Sequence, residues 1–175
     1  GQWTKEDREL WLSSIIQAVN SLPGCQFVVK LHPRDHSEPY EEILREQNAA
    51  ETVIRQDFDT PRLLKTCDVL LTGLCTTALE AMIVDKPVII VDFKEDPCRA
   101  PFVSSGAAIG VHQPEKLAPT IEKALHDQLI RQQLENARRE FVYHHAYIQD
   151  GHASRRVADL ILQMVEEARK GKVYA

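Results

Sequence analysis

Between Val69 and Asp92 the chain reads VLLTGLCTTALEAMIVDKPVIIVD, and this stretch narrows the possible folds more than any other. An apolar run stops at Thr72, a turn carrying Gly and hydroxyl residues follows, a helix-forming run begins near Thr77, and a second apolar run opens after Lys86-Pro87. The order is strand, loop, helix, strand. Asp68 to Leu71 and Val88 to Val91 are apolar without alternation, which fits strands covered on both faces of a parallel sheet. The loop between them leaves backbone N–H groups unpaired where the helix starts, with the Thr76 and Thr77 hydroxyls beside them, a setting that suits a phosphate. Glu80 stands one helical turn further on, within reach of a sugar hydroxyl of the same ligand. A nucleotide or nucleotide sugar is the first expectation.

The rest of the chain repeats the alternation. Thr4 before Lys5-Glu6-Asp7 predicts a capped helix running to Asn20, and Leu22-Pro23-Gly24 breaks it. Gln26 to Leu31 is a β-branched and aromatic run, hence a strand, and it stops at His32-Pro33 because proline forces the residue before it into extended geometry. Helices are expected over Glu38 to Gln47, Asp59 to Thr66 with Pro61 in the first turn, Pro114 to Leu125, Asp127 to Tyr143 and Ala153 to Ala168. Short strands are expected at Thr52 to Ile54 and Ala107 to Val111. The last helix gathers Val157, Leu160, Ile161, Met164 and Val165 on one face. The fold class that follows is α/β, a doubly wound parallel sheet. A doubly wound half usually begins with a strand, whereas this chain opens with a helix, so the first strand is expected to be missing and residues 1–175 to form one domain from the C-terminal half of a longer protein.

At 175 residues the chain is the size of one domain with its own core. The formal net charge of −5 comes without any basic block, which argues against nucleic acid as a partner. No apolar run approaches the roughly 20 residues of a membrane span, and the first residues lack a signal-peptide pattern. Cys25, Cys67, Cys75 and Cys98 are scattered without metal-ligand spacing, so no metal is proposed and a reducing, cytoplasmic setting is the simplest reading. Cys25 and Cys67 are read as small buried hydrophobes. His144-His145 does not read as a metal pair either, since neighbouring helical residues point about 100° apart.

In a parallel sheet, ligands bind beyond the carboxyl ends of the strands. Three segments stand at such ends: Lys30, His32 and Arg34; Thr72 to Thr77; and Asp92 to Arg99. Each has a plainer role beside the functional one. His32 is also compatible with an exposed loop residue before a structural proline, Thr76 and Thr77 with a helix N-cap worth on the order of 1 kcal/mol, and Glu80 with a first-turn carboxylate favoured by the helix dipole. Lys30 and Arg34 also fit solvated rim charges, and Glu95 and Asp96 a solvated loop.

Lys30-Leu31-His32-Pro33, followed by Cys75-Thr76-Thr77-Ala78-Leu79-Glu80-Ala81, resembles the C-terminal nucleotide-binding lobe of two-lobed GT-B glycosyltransferases, among them sialyltransferase-like, glycerophosphotransferase-like and capsule-sugar transferases. The same pattern resembles the non-hydrolysing UDP-N-acetylglucosamine 2-epimerases, which share the fold. Asp150-Gly151 and Ala153-Ser154-Arg155 extend the likeness, being similar to the D-G-x-A-S-x-R that opens the final helix in these families. The resemblance implies a Rossmann-like lobe in which His32 stabilises the phosphates of the departing nucleotide. It further implies that Thr76, Thr77 and the backbone of Cys75 contact those phosphates, that Glu80 accepts from the ribose, and that Lys30, Arg34, Thr72 and Gly73 line the same site. Cys75 stands where a Ser is common and Gly73 where many relatives carry Asp.

The donor implied is a UDP-, CDP- or CMP-linked sugar, with no cofactor and no metal, and the acting enzyme would need an N-terminal lobe. The isolated domain would then bind without catalysing, in the cytoplasm or peripherally at the inner face of the membrane. The epimerase alternative would need carboxylates in an interlobe cleft. Its pattern carries Gly-Gly where this chain has Cys75-Thr76, which favours the transferase. A lobe that has lost catalysis and only regulates or assembles is the remaining alternative.

Overall fold

The computed structural model of the chain describes residues 4–47, 49, 52–94 and 101–169. In chain order the elements are α1 (Lys5–Asn20), β1 (Val28–Lys30), α2 (Glu38–Glu46), β2 (Val53–Arg55), α3 (Thr60–Thr66), β3 (Leu70–Thr72), α4 (Thr77–Ile83), β4 (Val88–Val91), β5 (Ile109–Val111), α5 (Leu117–His126), α6 (Gln128–Ala146) and α7 (Ala153–Arg169). All strand pairs are parallel. β3, β4 and β5 form one sheet with β4 in the middle, and β1 pairs with β2 in another. In the doubly wound order a strand preceding α1 stands between these two groups; among the described residues none does.

The apolar run at β4 has a direct structural reason. Val88 and Ile90 pack on one face with Ala78, Ala81 and Met82 of α4 and Phe141 of α6. Ile89 and Val91 pack on the other with Ile15 and Ala18 of α1 and Leu117, Ile121 and Ala124 of α5. All four residues are buried, so every position of the strand faces a core. Helix α1 serves both sheets: Leu12 and Ile16 join Val29, Leu31, Ile43 and Leu44 around β1, while Ile15 and Ala18 face β4. The Trp11 indole N–H donates to the Val91 carbonyl at 3.2 Å, fastening α1 to the end of β4.

Local chemistry sets the element boundaries. Thr4 and Asp7 form the reciprocal capping box that starts α1, with the Asp7 N–H donating to the Thr4 hydroxyl at 3.1 Å and the Thr4 N–H to the Asp7 carboxylate at 2.9 Å. Asp127 caps α6 by accepting from the Leu129 and Ile130 N–H groups. Helix α4 ends in a Schellman turn: Lys86 N–H donates to the Ala81 carbonyl and Asp85 N–H to that of Met82, with Asp85 left-handed at φ 61° where glycine is usual. The Asp85 carboxylate meets the Arg138 guanidinium at 2.7 Å, an ion pair that explains a charged residue at this position.

Some boundaries differ from expectation. β5 begins at Ile109 and not Ala107, because the Ala108 N–H turns back to the Phe102 carbonyl instead of joining the ladder. The helix expected from Pro114 opens as a 3-10 turn over Pro114–Lys116 before α5. β3 is shifted to Leu70–Thr72 by its register with β4, Leu70 opposite Val88.

Candidate functional site

His32 follows β1, whose last register pair is Lys30 with Arg55, and the Leu31 N–H still bonds the Arg55 carbonyl at 2.9 Å. The chain then turns sharply. The Asp35 N–H donates to the His32 carbonyl at 2.9 Å, closing a four-residue turn with Pro33 in its second position, where the fixed proline φ is favourable. The Arg34 N–H donates to Nδ1 of the His32 ring at 3.1 Å. Two residues that the sequence reading did not single out brace the turn. The side-chain amide of Gln56, just past β2, donates to the carbonyls of His32, Pro33 and Asp35 at 3.1, 3.0 and 2.8 Å. The Tyr40 hydroxyl donates to the Asp35 carboxylate at 3.0 Å, and the Tyr40 ring lies under the Arg8 guanidinium. Burial and the nearby Asp35 charge push the Tyr40 phenol up, so it stays a donor. Gln56 was unrecognisable because its role depends on which strands pair.

The second segment lies beyond β3. Thr72 closes the strand, Gly73, Leu74 and Cys75 form the loop, and Thr76 is the N-cap residue of α4. Thr76 adopts helical dihedrals and its hydroxyl makes no capping bond, so the plain N-cap role does not describe it. It is exposed, and its hydroxyl makes no hydrogen bond among the described residues. The Thr72 hydroxyl and the Cys75 sulfur lie 3.1 Å apart across the loop. Thr77 is half-buried, and Glu80 is exposed on the first turn of α4. With seven residues, α4 supplies only a short dipole, so any anion here depends on loop N–H groups and hydroxyls.

The remaining candidates separate. The Lys30 ammonium is engaged with the Leu31 carbonyl at 2.7 Å, while the Arg34 side chain is exposed. Beyond β4, Asp92 turns the chain by accepting from the Lys94 N–H, and the Lys94 ammonium reaches back to Asp7 at 2.5 Å. Glu95, Asp96 and Cys98 lie outside the described residues. Among the described residues, the side-chain bonds at the His32 turn come from Gln56, just past β2, and Tyr40 of α2, whereas Thr72 is paired with Ile90 of β4 and its hydroxyl meets Cys75 within the loop. A groove of about 430 Å³ lined by Met82, Ile83, Asp85, Arg139, Val142, Tyr143 and Tyr147 includes none of the candidates.

Among the cysteines, Cys67 is half-buried, burial pushes its thiol up, and its sulfur faces the Leu64 carbonyl; Cys25 is half-buried and Cys75 exposed. Of the two adjacent histidines, His145 stacks on Phe141 with its ring nitrogen against the Phe141 carbonyl, and His144 lies beside Glu140. The Asp150 carboxyl is held below the usual range by the Arg156 guanidinium at 2.7 Å. This pair ties the start of α7 to the turn before it. No helix among the described residues is long and apolar enough to cross a membrane.

No family model matches the sequence, and no curated protein matches it. Among solved structures, the chain is similar to one described as the crystal structure of UDP-N-acetylglucosamine 2-epimerase, with a TM-score of 0.58 and 16% identity. The match covers 82% of this chain and 42% of that one, so this chain spans under half the length of the similar structure. At that identity the likeness establishes the fold: an α/β, Rossmann-like lobe of the kind found in that enzyme.

Proposed function

We propose that this chain is the donor-binding lobe of a two-lobed GT-B glycosyltransferase acting in glycan, capsule or surface polysaccharide synthesis, with catalysis completed by an N-terminal lobe. The observation that carries the proposal is the contrast at two strand ends: a braced histidine after β1 and, after β3, a threonine hydroxyl that bonds to nothing among the described residues. In this reading the His32 ring and the Thr76 and Thr77 groups hold the phosphates of a UDP-, CDP- or CMP-linked sugar, and Glu80 accepts from the ribose. As the acceptor hydroxyl attacks the anomeric carbon and the phosphate departs, donors fixed beforehand stabilise the charge it gains. The general base comes from the other lobe, so the domain alone binds and does not turn over.

The test is calorimetric titration with UDP, CDP, CMP and GDP, on the wild type and on His32→Ala and Thr76→Ala. One nucleotide is expected to bind, and each substitution to weaken it about tenfold, or about 1.4 kcal/mol. Equal binding by all three proteins would overturn the site. The likeness to an epimerase structure supports a second reading, a sugar-nucleotide 2-epimerase-like lobe. Full-length protein given UDP-N-acetylglucosamine in deuterated water, with no acceptor, separates the two: deuterium at C2 signals the epimerase. Failure of the full-length protein to bind any nucleotide would leave the non-catalytic lobe.

A further inference from the structure

The geometry points to Gln56 as a positioning residue: its side-chain amide clamps the turn from His32 to Asp35 and so locks the neutral His32 ring with its proton on Nε2. The clamp joins two strands. β1 and β2 run in parallel with Lys30 opposite Arg55, which places Gln56 beside the turn that β1 enters. From there its amide nitrogen reaches three backbone carbonyls, those of His32, Pro33 and Asp35, at 3.1, 3.0 and 2.8 Å. Only the NH2 end of the amide suits these acceptors, its two hydrogens serving three carbonyls with one hydrogen shared, because the oxygen end would face three like dipoles. The amide orientation is therefore fixed by its surroundings.

The consequence for the ring follows from the chemistry of a backbone N–H, which donates and never accepts. With the turn held, the Arg34 N–H lies 3.1 Å from Nδ1, so Nδ1 is the acceptor and carries no proton. A neutral imidazole then bears its single proton on Nε2. His32 is exposed, its ring bond runs through Nδ1, and Nε2 makes no hydrogen bond among the described residues, so Nε2–H is the ring's available donor. A free ring would exchange tautomers and rotate, and would at times present a lone pair to an anion. Gln56 removes that option from a distance, without touching any ligand. The value of this donor to a phosphate rests on the function proposed above; the hold of Gln56 on the ring does not.

Nuclear magnetic resonance on 15N-labelled protein reads the two separately. The variants are Gln56→Met, which keeps the length and removes the donors without adding charge, and Gln56→Lys, which restores donors. Gln56 is exposed, so neither substitution disturbs a core. In wild type a coupling through the hydrogen bond between the Arg34 amide nitrogen and His32 Nδ1 is expected, with ring shifts of the Nε2–H form. Gln56→Met is expected to lose the coupling and to speed exchange of the Arg34 amide about tenfold or more. Gln56→Lys is expected to recover both. Binding of inorganic pyrophosphate is expected to weaken about tenfold in Gln56→Met. An unchanged coupling and exchange rate in Gln56→Met would overturn the clamp. Loss of the coupling with undiminished pyrophosphate binding would overturn its positioning role toward the ligand. A wild-type protein that shows the coupling yet binds neither pyrophosphate nor any nucleotide would sink the proposed function and leave the clamp standing.

Discussion

The two sheets solve burial in opposite ways. Among the described residues β4 has a core on each face, whereas β1 and β2 have one: Val29, Leu31 and Ile54 turn toward α1 and α2, while Val28 and its register partner Val53 are 37% and 40% exposed. A strand covered on both sides is held by side chains. A strand covered on one side depends more on its polar connections, and here those connections, Gln56 and the Asp35–Tyr40 bond, brace the histidine turn. Stiffness at the candidate site thus comes from hydrogen bonds in the half with the thinner core.

The two sheets are expected to differ most when a strand side chain is truncated. Ile89 is fully buried between α1, α5 and the neighbouring strands, so Ile89→Ala is expected to cost about 4 kcal/mol through lost burial and the cavity left behind. Val53→Ala, on the bare face of β2, is expected to cost under about 1 kcal/mol. Urea denaturation of both variants measures the gap, and similar losses would show that the face of β2 is covered in solution.

A second test probes the polar exception inside the better-packed half. Arg138 is 4% exposed; among the described residues its Nε and Nη1 atoms are buried without partners, and only Asp85 balances the guanidinium. Asp85→Asn keeps a residue tolerant of φ 61° but removes the countercharge, with an expected loss of about 2 kcal/mol, reduced from a fully buried pair because Asp85 is itself exposed. Arg138→Met, which keeps the apolar stem and removes the orphaned N–H groups, is expected to lose less than about 1 kcal/mol. The opposite ranking in the same denaturation assay would mean that the guanidinium has partners in solution beyond Asp85.

The seam between α1 and the end of β4 responds to acid. The Lys94 ammonium, with the Thr4 backbone N–H, holds the Asp7 carboxyl down to about 2 from an ordinary 3.8. A depressed carboxyl contributes stability that is fully present above its unfolded value and lost as the pH falls through its folded value. The advantage of wild type over Asp7→Asn is therefore expected to be constant near neutrality and to fade as the pH drops from about 4 to about 2. Denaturation curves across that range check it; a difference that persists at the acid end would assign the effect to hydrogen-bond geometry instead of charge.

Most of this architecture was legible because residue pattern and burial agree. The unbroken VIIV of β4, the Thr4–Asp7 box and the Asp127 cap each followed from local chemistry. At the candidate site, the positions of His32 and Thr76 at strand ends were legible from the turn signals around them. Gln56 and the Asp85–Arg138 pair were not, because both depend on which distant elements meet, and a lone polar residue after a strand carries no mark of its partner.

Helices α5 and α7 show the same limit. Both are amphipathic in sequence. In α5 the apolar positions Leu117, Ile121 and Ala124 are buried against β4 and β5, whereas in α7 Val157, Leu160, Ile161, Met164 and Val165 are between 44% and 57% exposed. A pattern of apolar residues records that a face is meant to be covered, but not by what. In this chain by itself, Leu160→Ser is therefore expected to change stability by under about 0.5 kcal/mol, since nothing among the described residues packs on it to be lost. Ile121→Ser, on the matching face of α5, is expected to cost several-fold more, because it places a hydroxyl in a dry core as well as emptying it. Equal losses in urea would mean that the face of α7 is buried in solution, and the contrast between a helix covered by described residues and one that no described residue covers would fail.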